Sequence, residues 1–177
     1  MSKIRTIPAF IDMHTHLREP GFERKEDIES GSRAAVRGGY ASVCCMPNTN
    51  PVIDNKCIVS YVMNRAKEVD LARVYPTASI TKGMKGEELT NFGSVKAFGA
   101  VAVSDDGMPV TSSNTMRLAI EYAKPFGLPV ISHCEDFSIA DGGVVNEGYH
   151  ATVAGLKGIS RVAEEAMVAR EILIAES

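Results

Sequence analysis

Two histidines separated by one residue, His14 and His16, are the side chains of this sequence best suited to chemistry. Side chains alternate along a β-strand, so both imidazoles point to the same side if this segment is a strand. Phe10 and Ile11 precede them as an apolar run, and a Pro-Gly turn at 20–21 follows. The spacing therefore predicts two imidazoles side by side at the end of a strand, as a divalent metal ion requires.

Other polar residues follow strand-like apolar runs further along the chain, namely Asn48, the adjacent Asp105 and Asp106, and His133. In an extended segment only one of the two aspartates can face the histidines. Histidine nitrogen and carboxylate oxygen both bind zinc, and two metal ions can share one carboxylate. The alternatives are an Asp-Gly turn at 105–107 and a hydrogen-bonded core histidine at 133. We predict a metal cluster of His14, His16, Asp106 and His133.

Arg18 and Asn48 form a second candidate group. Arg18 lies two residues beyond His16, on the same side while the chain stays extended, and its planar guanidinium suits a carboxylate. Asn48 follows the second strand-like run and offers a directional amide. Together they predict binding of a small acidic amide or ureide. The alternatives are a surface ion pair of Arg18 with Glu19 or Glu23, and a turn role for Asn48.

Five apolar, β-rich runs have to position these residues, and most are followed by a segment with helical periodicity. The predicted strands are 9–14, 41–46, 72–80, 100–104 and 129–133, and the predicted helices are 26–37, 56–69, 92–98, 115–124 and 162–175. The last helix is expected to bury a stripe of Val162, Ala166, Ala169 and Leu173. Alternating strands and helices predict an α/β fold with a parallel sheet covered by helices.

An open doubly wound sheet and a (β/α)8 TIM barrel both satisfy this alternation. In a barrel the strand ends converge on one mouth, whereas an open sheet spreads them along an edge, and no Gly-x-Gly-x-x-Gly turn supports a nucleotide crevice. We therefore predict a (β/α)8 TIM barrel. A complete barrel has eight units, so about five β-α units over 9–177 imply an incomplete one.

Composition excludes several function classes. The chain is 45% hydrophobic and 23% charged, and its net charge of −3 argues against a nucleic-acid or anionic membrane partner. No apolar run approaches a membrane span, and residues 1–5 are not followed by a signal-peptide core, so we expect a cytoplasmic protein. The four cysteines form no Cys-x-x-Cys pair. Buried, reduced thiols are expected at Cys44, Cys45 and Cys57, while Cys134 is left open beside His133.

Five blocks of the chain together resemble bacterial-type dihydroorotase, of the amidohydrolase superfamily. They are DMHTHLREPG at 12–21, GGY at 38–40, MPNT at 46–49, SDDG at 104–107 and HCED at 133–136. The resemblance extends from about residue 8 to the C-terminus. It implies that 9–177 form a partial TIM-barrel catalytic domain of the metal-dependent hydrolase type, and that 1–8 are a remnant of a preceding β domain or a leader. It implies a zinc enzyme with one or two ions per site. Such an enzyme interconverts (S)-dihydroorotate and N-carbamoyl-L-aspartate in de novo pyrimidine biosynthesis.

The resemblance also implies roles for individual residues. His14 and His16 would bind one zinc ion, His133 would help to bind a second, and Asp106 would be shared between them. His16, Arg18 and Asn48 would contact the substrate carboxylate. Many relatives bridge the metals with a carboxylated lysine on strand four, but 100–104 contains no lysine. The subtype with aspartate in that role fits better.

The family also has a metal histidine on strand six and a catalytic aspartate on strand eight, and neither falls within this chain. The resemblance therefore implies no catalytic residue here, a truncated and inactive fragment, and the missing C-terminal part of the barrel as a partner. A homodimer or association with aspartate transcarbamoylase are further expectations. Two alternatives stay open. One is another cyclic-amide hydrolase, such as dihydropyrimidinase or allantoinase. The other is a non-catalytic dihydroorotase-like subunit that supports aspartate transcarbamoylase.

Overall fold

The computed structural model describes residues 5–177, and its main feature is a five-stranded parallel sheet. The strands are β1 (Phe10–Thr15), β2 (Tyr40–Cys45), β3 (Arg73–Ala78), β4 (Ala102–Ser104) and β5 (Val130–Ile131). They pair in chain order, β1 with β2 through to β4 with β5. Parallel neighbours need a crossover connection, and helices supply it here. The five predicted strands are thus present, each shifted or shortened at its ends.

Four predicted helices cross from one strand to the next. They are α1 (Ile28–Arg37), α2 (Lys56–Val69), α3 (Phe92–Ala97) and α4 (Ser113–Ala123). α1 begins two residues later than predicted because Asp27 is extended (φ −124°) and its carboxylate accepts the amide N–H of Ser30. α2 has the predicted bounds, with Asn55 as its N-cap and Asp70 in the left-handed region as its C-cap.

The segment between β5 and the last helix contains elements that the sequence pattern did not predict. These are α5 (Phe137–Ala140), β6 (Val145–Asn146), α6 (Tyr149–Ala154) and β7 (Gly158–Ile159), and β6 pairs with β7 in a small separate parallel sheet. Each element has two to six residues. Hydrophobic periodicity needs a longer window than that, so the sequence could not show them.

The last helix, α7 (Val162–Glu176), is present as predicted, but its predicted buried stripe is wrong. Ala163 and Met167 are the buried residues, while Val162 and Leu173 are exposed. Apolar residues are spread around the whole circumference of α7, so periodicity alone does not select the face that packs. The structure places that face one residue further along than predicted.

The hydrophobic core lies between the sheet and the helices that cover it. Its largest fully buried side chains include Phe92, Ile28, Ile53, Met116 and Val103. The first strand differs from the others, because Phe10, Ile11 and Met13 are more than half exposed. Of the predicted 1–8 remnant, residues 1–4 lie outside the described residues, and 5–9 carry no regular secondary structure. Within the described part of the chain, no helix combines the length and apolarity of a membrane span.

The cysteines differ in burial, and the prediction of three buried thiols is wrong at one of them. Cys45 is buried, and burial raises the pKa of its thiol to about 12. Burial also raises the pKa of the half-buried Cys44. Cys57 is exposed in the first turn of α2.

This difference predicts selective thiol labelling. At pH 8 a thiol with a pKa of about 12 is ionised in only about one molecule in ten thousand, and the thiolate is the nucleophile. We expect dithionitrobenzoate to react rapidly with Cys57 and not with Cys45 until the chain unfolds. Peptide mapping of the labelled cysteines tests this. Cys57→Ser should remove the rapid phase, and rapid labelling of Cys45 in the folded chain would contradict the prediction.

Candidate metal and substrate site

Five of the predicted site residues meet at the carboxyl edge of the parallel sheet. His14 lies on β1 and His16 just after it, Asn48 follows β2, Asp106 follows β4 and His133 follows β5. Parallel strands end at the same edge, so each crossover delivers its polar residues to one place. The structure therefore brings together side chains that are up to about 120 residues apart, as the strand-end argument predicts.

Asp106 is the centre of the cluster. Its Oδ1 lies 3.3 Å from Nε2 of His14, and its Oδ2 lies 3.5 Å from Nε2 of His16. Two ligands about 2.1 Å from a tetrahedral zinc ion are roughly 3.4 Å apart. The ligand atoms of His14, His16 and Asp106 all lie within 4.8 Å of one another. The donor types suit zinc, and the two measured separations are close to the spacing of zinc ligands.

His133 approaches the same carboxylate from another side. Its Nδ1 lies 3.7 Å from Oδ1 of Asp106, and its Nε2 lies 3.2 Å from Oε2 of Glu135. Glu135 was not predicted as a site residue. It lies two residues after His133, the same spacing that separates His14 from His16. Oδ1 of Asp106 therefore lies near both His14 and His133, and Oδ2 lies near His16, so one carboxylate contacts all three histidines.

Of the two adjacent aspartates, only Asp106 takes part in this cluster. Asp105 is buried and accepts the backbone N–H groups of Ile80 (2.7 Å) and Thr81 (3.1 Å) as well as the Thr81 hydroxyl. Burial raises the pKa of the Asp105 carboxyl, and these hydrogen bonds oppose the rise only in part. Asp105 ties the loop after β3 to β4, while Asp106 is presented to the open edge.

Asn48 links two members of the cluster. Its amide oxygen lies 3.0 Å from Nδ1 of His16, and its amide nitrogen lies 3.3 Å from Oδ2 of Asp106. The loop that carries it is well held, because the buried Thr49 donates its hydroxyl to the carbonyl of Pro51 (2.7 Å). Asn48 therefore lies within the cluster rather than in a peripheral turn.

Arg18 requires a correction to the sequence argument. The chain is not extended there, because β1 ends at Thr15 and Arg18 has φ +59°. Burial nevertheless alternates, with Leu17 and Glu19 buried and His16 and Arg18 half-buried. No ion pair of Arg18 with Glu19 or Glu23 occurs among residues 5–177, since Glu19 instead pairs with Arg65.

Glu19 is a buried residue of this loop that the sequence analysis did not single out. Its carboxylate accepts the N–H of Ile28 (2.8 Å), the hydroxyl of Tyr61 (2.9 Å) and the Nε–H of Arg65 (3.2 Å). Burial and the bond to Glu19 raise the pKa of the Tyr61 hydroxyl. These bonds join the loop that carries His16 and Arg18 to the start of α1 and to α2.

Two open cavities share Asp106 as a wall. One, of about 540 Å³, is lined by His14, His133, Glu135 and the start of α7. The other, of about 690 Å³, is lined by Asn48 and by apolar side chains that include Phe22, Met84 and Phe137. Cavities of this size accept small organic ligands. A substrate bound on either side would contact the cluster.

Comparison with known proteins agrees with this geometry. A family model described as "Dihydro-orotase-like" matches residues 4–177. The chain is 57% identical over 170 residues to a dihydroorotase of Acetivibrio thermocellus, and 56% identical over 169 residues to one of Geobacter sulfurreducens. In each case the match covers 96% of this chain and 40% of the relative. The chain thus spans about two fifths of the length of the curated relatives it matches.

Solved structures show the same fold. An L-hydantoinase (dihydropyrimidinase) from Arthrobacter aurescens has a TM-score of 0.71 at 17% identity, covering 96% of this chain and 39% of that one. A dihydroorotase from Saccharomyces cerevisiae, in complex with 5-fluoroorotic acid, has a TM-score of 0.65 at 14% identity, covering 96% and 44%. At such identities the likeness shows the fold alone. The prediction of part of a TIM barrel is confirmed.

Proposed function

The chain belongs to the dihydroorotase-like family, and from this premise we propose that it provides the metal and substrate site of a dihydroorotase. The reaction would interconvert (S)-dihydroorotate and N-carbamoyl-L-aspartate in de novo pyrimidine biosynthesis. The observation that carries the proposal is the central carboxylate of Asp106, 3.3 Å and 3.5 Å from the Nε2 atoms of His14 and His16. A cytoplasmic location belongs to the same proposal.

The cluster suggests how zinc would be held. His14, His16 and Asp106 would bind one ion, and His133 with Asp106 would bind a second. Zinc, when bound, supplies a Lewis acid that polarises an amide carbonyl and lowers the pKa of water to about 7. The half-buried Asp106 is 12% exposed, so its negative charge would act in a medium that screens it less than bulk water does.

The substrate carboxylate would be bound by Arg18, Asn48 and His16. Arg18 supplies a fixed positive charge with a planar donor pair, and Asn48 supplies a directional N–H. A site built around a carboxylate strongly disfavours analogues that lack one, because its polar groups then stay unpaired. This feature favours dihydroorotate over dihydrouracil, which has no carboxylate.

Proton transfer would fall to an aspartate on strand eight, as the resemblance to dihydroorotases implies. We place the catalytic aspartate in the part of the barrel that the match does not include, and we propose that residues 1–177 alone turn over no substrate. A general acid or base typically contributes about 10²–10⁴-fold to the rate. The partner that restores activity would be the remainder of the barrel. A homodimer or an association with aspartate transcarbamoylase belongs to the same proposal as a further assembly.

Complementation tests this function. The chain is co-expressed with the remainder of the Acetivibrio thermocellus dihydroorotase, and turnover of dihydroorotate, dihydrouracil and allantoin is compared. We expect dihydroorotate to be preferred by at least about 100-fold and zinc chelation to abolish turnover. The Acetivibrio remainder alone is the control. Preference for dihydrouracil or allantoin would identify a different cyclic-amide hydrolase, and an assembly that holds no zinc would favour a non-catalytic subunit.

A further inference from the structure

Asn48 contacts two residues of the cluster, Asp106 and His16. Its hydrogen bonds indicate how its amide is oriented and which nitrogen of His16 carries a proton. The ionised Asp106 carboxylate can only accept hydrogen bonds, so the Asn48 atom 3.3 Å from Oδ2 must be the amide nitrogen. The amide oxygen is then the atom 3.0 Å from Nδ1 of His16. Donor and acceptor chemistry, rather than the appearance of the amide, fixes its orientation.

The same reasoning fixes the proton on His16. An amide oxygen has no proton to donate, so Nδ1 of His16 must carry the hydrogen that joins the two atoms. In the neutral form of the ring, which has only one N–H, Nε2 is then bare. This bare nitrogen is the one that lies 3.5 Å from Asp106 Oδ2, on the side where the ligand atoms converge.

We propose that Asn48 is a positioning residue that holds His16 in the Nδ1–H tautomer and turns Asp106 toward it. The proposal rests on the proposed zinc site and adds to it, because a zinc ligand must present an unprotonated nitrogen. Hydrogen bonds from the non-ligating ring nitrogen are what orient metal-binding histidines in general. Here one amide serves a histidine of the β1 loop and the carboxylate that follows β4.

The position of Asn48 supports this role. The amide is only partly exposed, and its loop is fixed by the Thr49 hydroxyl and by the backbone N–H of Asn50, which donates to the carbonyl of Pro20 at 2.9 Å. The loops that follow β1 and β2 are thus joined directly. Asn48 also keeps one amide N–H that neither Asp106 nor His16 uses, so it can still contact a substrate carboxylate.

Nitrogen NMR of the histidines tests the tautomer directly. The chain is 19.0 kDa and has four histidines, so ¹⁵N-histidine labelling gives a simple spectrum. In the zinc-free chain at a pH where imidazole is neutral, we expect His16 to show a protonated Nδ1 and a bare Nε2. Asn48→Ala should convert His16 to a mixture of both tautomers. Asn50→Ala, an exposed residue of the same type in the same loop, should change nothing.

Zinc affinity provides a second readout. Loss of a hydrogen-bond partner of a metal ligand typically costs about 10–100-fold, so Asn48→Ala should weaken zinc binding by that factor and Asn50→Ala should not. Asn48→Asp keeps an acceptor for Nδ1–H and provides the test if the alanine variant fails to fold. The Nδ1–H tautomer should persist in it, and conversion to Nε2–H would overturn the proposal.

The role of Asn48 and the proposed zinc site can be contradicted by different results. An Nε2–H tautomer of His16 in the wild-type chain, or a tautomer unchanged in folded Asn48→Ala, would overturn the role of Asn48 whether or not zinc binds. Failure of the wild-type chain to bind zinc, with the tautomer as expected, would instead contradict the proposed metal site and leave the hydrogen-bond assignment intact.

Discussion

Asp106→Asn is expected to lower the zinc affinity of the chain by well over 100-fold while leaving its fold intact. The carboxylate lies within 3.7 Å of a ring nitrogen of each of His14, His16 and His133. The amide that replaces it is neutral, and its NH₂ group would point at one of the histidine nitrogens. Loss of an outer hydrogen-bond partner already costs about 10–100-fold, so loss of the central ligand should cost more. Competition titration with a chromogenic zinc chelator measures the effect.

The neighbouring aspartate provides the matched control. Asp105→Asn removes the same charge one residue away, from a side chain that faces the loop after β3 instead of the cluster. We expect it to bind zinc with nearly wild-type affinity. Equal zinc affinity of Asp106→Asn and the wild type would show that the cluster is not a metal site. An equal loss in both variants would show that the effect comes from charge rather than from ligation.

Asp105→Ala is expected to lower the stability of the fold strongly, whereas Asp106→Asn should leave the fold intact. The Asp105 side chain is 2% exposed and satisfies two buried backbone N–H groups and a hydroxyl. An unpaired buried donor costs about 1–3 kcal/mol, so we expect a loss of about 3–5 kcal/mol in the free energy of unfolding. A domain of this kind has only about 5–15 kcal/mol in total. Urea denaturation measures the loss.

Asp105→Asn separates hydrogen bonding from charge at this position. Its amide oxygen can still accept both backbone N–H groups, and its NH₂ can donate to the Thr81 hydroxyl oxygen, so we expect a smaller loss than for alanine. Equal destabilisation by both substitutions would contradict the assigned hydrogen bonds. Wild-type stability of Asp105→Ala would show that Asp105 does not hold the loop.

The contribution of Asp105 to the free energy of unfolding should fall as the pH rises. Burial raises the pKa of Asp105 above its ordinary value of 3.8 in the folded chain. Its stabilising contribution is therefore complete below pH 3.8 and is lost as the pH rises through the folded pKa. The difference in unfolding free energy between the wild type and Asp105→Ala should narrow as the pH rises through the folded pKa and should stay constant above it.

The sequence could predict the regular part of the fold because the information there is local. An apolar run bounded by turn residues marks each of β1 to β5, and helical periodicity over 56–69 gives the bounds of α2 correctly. The elements of 137–160 are too short to show a period. The buried face of α7 depends on what the helix packs against, including the segment before α4, where the carbonyls of Val110 and Thr111 accept hydrogen bonds from Arg170 of α7.

The candidate site also has one part that the sequence predicts and one part that it does not. That His14, His16, Asp106 and His133 converge follows from the fold class, because parallel strands share one edge. The hydrogen bonds that hold the site in place do not follow from the fold class. Glu19 with Tyr61 and Arg65, and Asp105 with Ile80 and Thr81, join residues 24 to 46 positions apart. Such pairs leave no periodic signal. The assignment of ligands and substrate contacts stays a prediction until zinc binding is measured.

Strand order in the large sheet equals chain order, and this has a consequence for synthesis on the ribosome. Each strand pairs with the one made just before it, so the sheet can grow at one edge while later segments are still being translated. At about 5–20 residues per second, one strand-helix unit of roughly 30 residues emerges every few seconds. His14 and His16 are synthesised first, and Asp106 emerges about 90 residues later. The cluster around Asp106 is therefore complete only after the fourth strand has docked, and the proposed zinc site cannot form earlier.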